Sequence, residues 1–428
     1  MSIVCYTVAY MDEKRKLSTE PYKGVRDFYP EDEAVQKYMF SAMRRAVERF
    51  GYAEYNASVL EPAEMYRAKG AENTEMVNEQ TYTFTDRGER EVTLRPEMTP
   101  TAARMVAGRR RELAFPLRWY SIPNVFRYER PQRGRLREHW QFNVDIFGSN
   151  SIGSDAEIIA VAHAVMLELG ASASDFTIRI SDRRLLDKFF ERYELSQEQR
   201  KVARTLLDRK DKMPASEFAE QVEMLVGEPL DIMLEQDESV SALLATIAER
   251  GITNVEFDPT IVRGFDYYTG LVFEVYDTNP ENRRALFGGG RYDNLLSLFG
   301  EDKIPAVGFG MGDVSARDFL EIRGLIPQYT PPARVYIALA TPDNKEVVKA
   351  ASNIAAVLRA SNINTAIDFG DKKLGDQIKT ASKQHVPYCI VVGVDELTQD
   401  RFVVRDLATG EEETFSLADL SGFFTNTK

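Results

Sequence analysis

One segment limits the possible folds more than any other. From His139 to Phe147 the chain alternates strictly: Trp140, Phe142, Val144 and Ile146 fall on one side, His139, Gln141, Asn143 and Asp145 on the other. Period-two alternation predicts a strand with one face on a core and one polar face left open. Trp119 to Tyr128 reads as its antiparallel partner. Their connection, Glu129 to Glu138, is long for a hairpin and carries Arg130, Arg133, Arg135 and Arg137; long loops between paired strands tend to be functional. Gln141 and Asp145 share a face, and Arg127 can reach toward it, so an amide, a carboxylate and a guanidinium converge where a zwitterion beside a phosphate would fit. Taken alone, such a face is more simply a solvated sheet surface.

Helix signals frame this hairpin. Acidic residues 31–33 follow Pro30 and precede an apolar series, Val35 to Phe50, that ends at Gly51. A second helix is predicted from Ser154, with Glu157 completing a capping box, to about Gly170. Residues 183–250 read as an inserted helical module, and strands are expected at 254–258 and 270–276. A Gly/Pro-rich stretch near 324–332 reads as a linker. Beyond it, short apolar strands (335–340, 364–369, 388–392) alternate with helices (345–360, 374–384), the βαβαβ order of a largely parallel α/β domain. There is no fixed-period repeat.

Composition narrows the function. With 428 residues the chain calls for two or three domains. No apolar run reaches the roughly 20 residues of a membrane span, and residues 1–20 read as an added tail without the basic start of a secretory signal. Cys5 and Cys389 form neither a disulfide framework nor a metal cluster, which points to a reducing cytoplasm; with only His139, His163 and His385, no metal site is expected. The net charge of −13 argues against nucleic acid as a partner, yet residues 104–137 hold ten arginines against Glu112 and Glu129. A local basic patch on an acidic body still attracts phosphate, and arginine suits bidentate phosphate contacts.

Four further segments carry chemistry. Glu97 and Thr99, in Leu94–Thr99, can grip an ammonium group or merely turn the chain into a helix. Arg263–Gly270 opens on an arginine and sets the pair Tyr267 and Tyr268 between two glycines, more than a turn requires. Gly288–Asp293 reads as a glycine loop that admits a flat ligand, but without Walker or dinucleotide spacing. Gly308 to Gly312 alternates glycine with bulky residues and offers one bare face.

Together these segments resemble the histidyl-tRNA synthetase family of class II aminoacyl-tRNA synthetases. Phe126–Arg135 is similar to motif 2, Arg263–Gly270 and Gly288–Asp293 to the two histidine signatures, Lys23–Pro30 to the family's opening, and the tail from Arg334 to its anticodon-binding domain. The resemblance implies an α+β fold: a class II antiparallel sheet flanked by helices over 21–329, a helical insertion at about 183–250, and a C-terminal α/β anticodon-binding domain over 333–428. It implies that Glu97, Thr99 and Gln141 hold the α-amino group of histidine, that Asp145 and Tyr268 address its imidazole, and that Tyr267 and Tyr292 line the pocket. Arg127 and Arg263 would meet the ATP α-phosphate from opposite sides. Glu129, Arg135, Gly310 and Gly312 would complete the ATP site, with Mg2+ accompanying ATP. Partners implied are tRNA(His), histidine, ATP and a second copy of the chain, without a membrane. Two positions depart from the pattern: Ser315 stands where motif 3 commonly has an arginine, with Arg317 nearby, and Ser58 replaces the motif 1 proline, with Pro62 following. The competing reading is a synthetase-like regulatory subunit of ATP phosphoribosyltransferase, which usually lacks the anticodon-binding tail.

Overall fold

The computed structural model describes residues 17–69, 80–132, 134–209, 213–227, 236–259, 261 and 268–426. It divides into two compact units, residues 1–327 and 328–428.

In the first unit the strands, in chain order, are β1 (Ala53–Glu54), β2 (Leu60–Pro62), β3 (Tyr82–Thr85), β4 (Glu91–Leu94), β5 (Leu117–Ser121), β6 (Asn124–Phe126), β7 (Glu138–Phe147), β8 (Phe176–Asp182), β9 (Val255–Phe257), β10 (Leu271–Asp277), β11 (Ala285–Arg291) and β12 (Ala306–Gly312). Nine of them form one sheet in the order β1-β5-β7-β12-β11-β10-β8-β9, with β6 pairing β7 off that path. All pairs from β5 through β8 are antiparallel; only the outermost pairs, β1–β5 and β8–β9, are parallel. A small sheet, β2-β4-β3, lies apart.

Alternation decides which face of the large sheet is dry. Phe142, Val144 and Ile146 of β7, Phe273 and Val275 of β10, and Val307, Phe309 and Met311 of β12 are buried in one core. Against them lie the helices Pro30–Glu48, Ile152–Glu168 and Asp313–Ile322. Each fully buried Phe, Val or Met contributes about 1.5–3 kcal/mol, which fixes the register, because a one-residue slip would put Asp145 into this core.

The structure corrects several expectations. The helix after β7 starts at Ile152, and its cap is Ser151, whose hydroxyl accepts from the Gly153 N–H at 3.1 Å. Ser154 lies inside the helix and bonds back to the Ser151 carbonyl, while Glu157 pairs with Arg118. The partner of β7 is two strands, because Ile122 and Pro123 interrupt it and proline has no N–H to give the ladder. Of the helices in 183–250, the first three (Arg183–Arg192, Gln197–Arg209, Ala215–Val226) share their own small core. The fourth, Glu238–Glu249, sends Val240, Leu243 and Ile247 into the main core.

The second unit carries β13 (Val335–Leu339), β14 (Thr365–Ile367), β15 (Tyr388–Val392), β16 (Phe402–Asp406) and β17 (Glu412–Phe415), in the order β14-β13-β15-β16-β17. The first three strands are parallel, as the βαβαβ order demands. The antiparallel pair β16–β17 and the closing helix Leu417–Asn426 were not anticipated. Gln377 ties the helix Leu374–Lys383 to β13: its side chain accepts from the Leu339 N–H at 2.7 Å and donates to the Leu339 carbonyl at 2.9 Å.

Candidate active site

The polar face of β7 opens onto a small polar cavity. Its walls carry Glu97, Thr99, Gln141, Asp145, Tyr268 and Tyr292. These six histidine-site candidates therefore converge on one space from four parts of the chain. The seventh, Tyr267, and the catalytic candidate Arg263 lie outside the described residues, as does most of the tail predicted for residues 1–20.

The floor is main chain. Gly288 and Gly290 of β11 stand opposite Gly310 and Gly308 of β12, and Gly288, Gly308 and Gly310 line the cavity. A Cβ on Gly308 would come within 2.2 Å of Asp145 Oδ1, and one on Gly290 within 2.8 Å of the Tyr268 ring. The glycine run expected to form a loop is thus mostly strand, β11 reaching Arg291. Its glycines serve close strand packing: a Cβ on Gly289 would meet the Gly308 carbonyl at 1.9 Å.

Asp145 is the electrostatic centre of the wall. It is buried, its Oδ1 accepts from the Tyr292 hydroxyl, and its Oδ2 has no hydrogen-bond partner. Burial pushes its carboxyl up to about 7, with the Tyr292 hydroxyl opposing. Asn143 also lines the cavity; the alternation put it on this face, yet nothing local marked it as part of the site.

Glu97 and Thr99 are placed by a segment that leaves β4 and enters the helix Thr99–Gly108. Buried Arg95 pins that segment, donating to the carbonyls of Asn124 at 2.9 Å and Ala57 at 2.8 Å. The Tyr66 hydroxyl donates to the Glu97 carbonyl at 3.1 Å. Arg95 carries no local signal in the sequence, since its partners lie about thirty to forty residues away.

Among its described residues the arginine-rich connection pairs only at the bridge between Gln132 and Arg135 and through the Arg127 N–H, which donates to the Arg137 carbonyl at 2.9 Å. Arg127 donates through Nε to the Pro96 carbonyl at 2.9 Å, so motif 2 and the Glu97 segment are fastened together. Glu129 stands between two guanidinium groups, 3.9 Å from Arg127 and 3.6 Å from Arg135. Arg137 lies 4.0 Å over the Tyr128 ring and donates to the Glu129 carbonyl. Gly24, at φ +86°, is required here, since a Cβ would strike the Arg137 side chain at 2.8 Å.

One of the two departures lies in motif 3. The Ser315 hydroxyl donates to the carbonyls of Leu286 and Gly312. Arg317 pairs with Asp32 at 2.7 Å and Glu321 at 2.9 Å. Both side chains are thus engaged in holding the helix Asp313–Ile322. Asp313, buried at its first turn, pairs with Arg26 at 2.7 Å and accepts from the Trp140 N–H at 2.9 Å. Gly312 ends β12 beside His139, whose Cδ2 would be 3.9 Å from an added Cβ. Burial, then Arg127 and Arg26, push His139 down to about 3, so the ring is neutral.

A bare-floored cavity on the open face of an antiparallel sheet, beside an arginine-rich connection, is the arrangement of a class II aminoacyl-tRNA synthetase core. The family model for histidyl-tRNA synthetase matches residues 24–226 and 216–312, and that for an anticodon binding domain matches 334–427. The histidine–tRNA ligase of Leptospira biflexa is 39% identical over 95% of this chain and 97% of its own. That of Thermoplasma volcanium is 38% identical over 95% of this chain and 98% of its own. The chain belongs to the histidyl-tRNA synthetase family. In fold it is similar to the crystal structure of a histidyl-tRNA synthetase from Nostoc, with a TM-score of 0.79 and 24% identity over 96% of this chain and all of that one. Both relatives match across the C-terminal unit as well, which disfavours the regulatory-subunit reading.

Proposed function

We propose that this chain is a histidine–tRNA ligase that activates histidine with ATP and esterifies it to the 3′ end of tRNA(His). The observation that carries the reading is the convergence of Glu97, Thr99, Gln141, Asp145, Tyr268 and Tyr292 on one glycine-floored cavity. Glu97, Thr99 and Gln141 supply acceptors for an α-ammonium group. Asp145 offers an acceptor and Tyr268 a hydroxyl to a neutral imidazole, which presents one donor and one acceptor. A site that hydrogen-bonds a polar group rejects analogues lacking it by about 10⁴-fold or more.

In the first step a histidine carboxylate oxygen attacks the α-phosphorus, and pyrophosphate leaves as the P–O bond to the β-phosphate breaks. Negative charge grows on the α-phosphoryl oxygens, where Arg127 and Arg263 would stabilise it. Glu129 would keep Arg127 and Arg135 oriented toward ATP, and Gly310 and Gly312 would let the nucleotide approach β12. Mg2+ would enter bound to the ATP phosphates; no group of three or more His, Cys, Asp or Glu able to hold a metal ion occurs among the described residues. In the second step the tRNA 3′-terminal hydroxyl attacks the activated carbonyl, and AMP leaves with the former attacking oxygen. That step needs chiefly positioning. The C-terminal unit would hold the anticodon, two copies would form a dimer, and the cytoplasm is the compartment; no described helix is long and apolar enough to cross a membrane.

The test is ATP–pyrophosphate exchange with each amino acid in turn. Histidine alone should support exchange. Exchange with none, or equally with several, removes the reading.

A further inference from the structure

Asp145 carries more buried polar neighbours than substrate binding requires. Besides its unpartnered Oδ2, Tyr55 Oη and Ser121 Oγ are also buried without a hydrogen-bond partner. Register puts them on one side of the sheet. In the β5–β7 pair Trp119 stands opposite Asp145 and Ser121 opposite Asn143, and opposed residues of an antiparallel pair share a face. Tyr55 follows β1, donates its backbone N–H to the Tyr120 carbonyl at 2.9 Å, and rests its ring 5.3 Å from that of Trp119. Burial first, then the Asp145 carboxylate, push the Tyr55 phenol up, while the adjacent Ser121 hydroxyl opposes. Three buried oxygens without partners in one neighbourhood are costly, because each forfeits its hydration.

We propose that Tyr55, with Ser121 beside it, is a positioning residue for Asp145: its hydroxyl donates toward Oδ2, directly or through one water, and keeps the carboxylate charged and turned to the imidazole N–H of histidine. The role rests on the histidine-activating function proposed above. A carboxylate oxygen has two lone pairs, so Oδ2 can serve a phenol and a substrate together. The need is physical. Burial raises the Asp145 carboxyl to about 7 with the Tyr292 hydroxyl as its counterweight, and a protonated carboxyl would present a donor where the imidazole N–H needs an acceptor. The Tyr55 phenol, pushed up, stays protonated and remains a donor. The other titratable groups facing Asp145 are Tyr292, Tyr268 and Glu97 across the cavity; Tyr52, in the core on the sheet's other side, feels its charge. Of the nearby cations, Arg95 acts on Tyr55 and Arg118 on Tyr52.

The experiment is histidine-dependent ATP–pyrophosphate exchange by the full chain, as wild type, Tyr55→Phe and Ser121→Ala, across the pH range that brackets the carboxyl. Tyr55→Phe should raise KM for histidine about tenfold, with kcat and KM for ATP held within about twofold. The acid limb of kcat/KM for histidine should move to higher pH, because losing a donor raises a carboxyl pKa. Histidine's own titration is common to every variant and does not produce that shift. Ser121→Ala should move the limb the same way by less. An unmoved limb, or parallel loss in kcat and both KM values, in a Tyr55→Phe protein that melts like wild type overturns the role. Should Tyr55→Phe fail to fold, Ser121→Ala is judged by the same criteria. Absence of exchange in the wild type overturns the activity itself, whereas intact exchange with an unmoved limb overturns only the part given to Tyr55.

Discussion

The pocket wall and the arginine-rich connection face the same chemistry with opposite constructions. Gln141 and Asp145 stand on β7, which is paired along both edges, and rest against the glycine backbone of β12. Arg127, Arg135 and Arg137 belong to a segment that shows one bridge among its described residues and is held by contacts such as Arg127 to the Pro96 carbonyl and Arg137 to the Glu129 carbonyl. The difference follows from how the two interactions decay. A hydrogen bond that sorts one ring from another fails within a few tenths of an ångström beyond about 3.2 Å. Coulomb attraction to a phosphate falls only as the inverse of distance. Selection therefore belongs on strands, and charge neutralisation can be carried by a connection that reaches over a substrate.

Substitutions that exchange these properties should break the contrast. The largest effect is expected from Gly308→Ala, which puts a methyl group 2.2 Å from Asp145 Oδ1 and 2.5 Å from the Val144 carbonyl. Exchange should be lost, with a stability cost of about 1–3 kcal/mol in denaturant unfolding; an unchanged KM for histidine would show that the wall yields. Next is Arg127→Ala, on the connection. If Arg127 is the donor to the α-phosphate proposed above, its loss should lower kcat for exchange by about 10²–10³-fold, with KM for histidine nearly constant. A rise in that KM of the same size would merge the two halves into one device.

Asp145→Asn sharpens the comparison through pH. It should reduce kcat/KM for histidine by roughly tenfold to a hundredfold, the loss of a hydrogen bond to a charged group. Its effect on stability has the opposite sign. The folded pKa of Asp145, about 7, lies above the ordinary 3.8, so between those values the folded chain binds the extra proton and stability falls as pH rises. The variant should melt above wild type near pH 8 and level with it near pH 4, as thermal melts at the two pH values would read. Equal melting at both would mean that Asp145 ionises without penalty.

What the sequence disclosed follows the range of the interactions involved. The faces of β7 were legible residue by residue because a period of two and a dry core are both local facts. So were the parallel strands β13, β14 and β15, which alternate with helices. The break at Pro123 lay in plain view but was overridden by the apolar run around it. The cap at Ser151 was hidden behind Ser154, because both precede helical sequence and only the backbone decides between them. The strand character of Gly288–Arg291 was hidden, since glycines favour loops unless another strand presses against them. Tyr55, Ser121 and Arg95 were invisible as parts of the site: each acts on a residue far along the chain, and no spacing within the chain encodes that meeting. Arg263 and Tyr267 rest on resemblance alone.

The glycine floor has a consequence for changing what this enzyme accepts. Most pockets are widened by trimming a side chain; here the surface beneath the ligand is backbone already and cannot be cut back. A bulkier amino acid would have to be admitted by altering Asp145, Tyr268 or Tyr292, and on the proposed function Asp145 and Tyr268 are the groups that bond the ring, while Tyr292 holds Asp145. Size and polarity are thus read by the same few atoms, so loosening one discards the other.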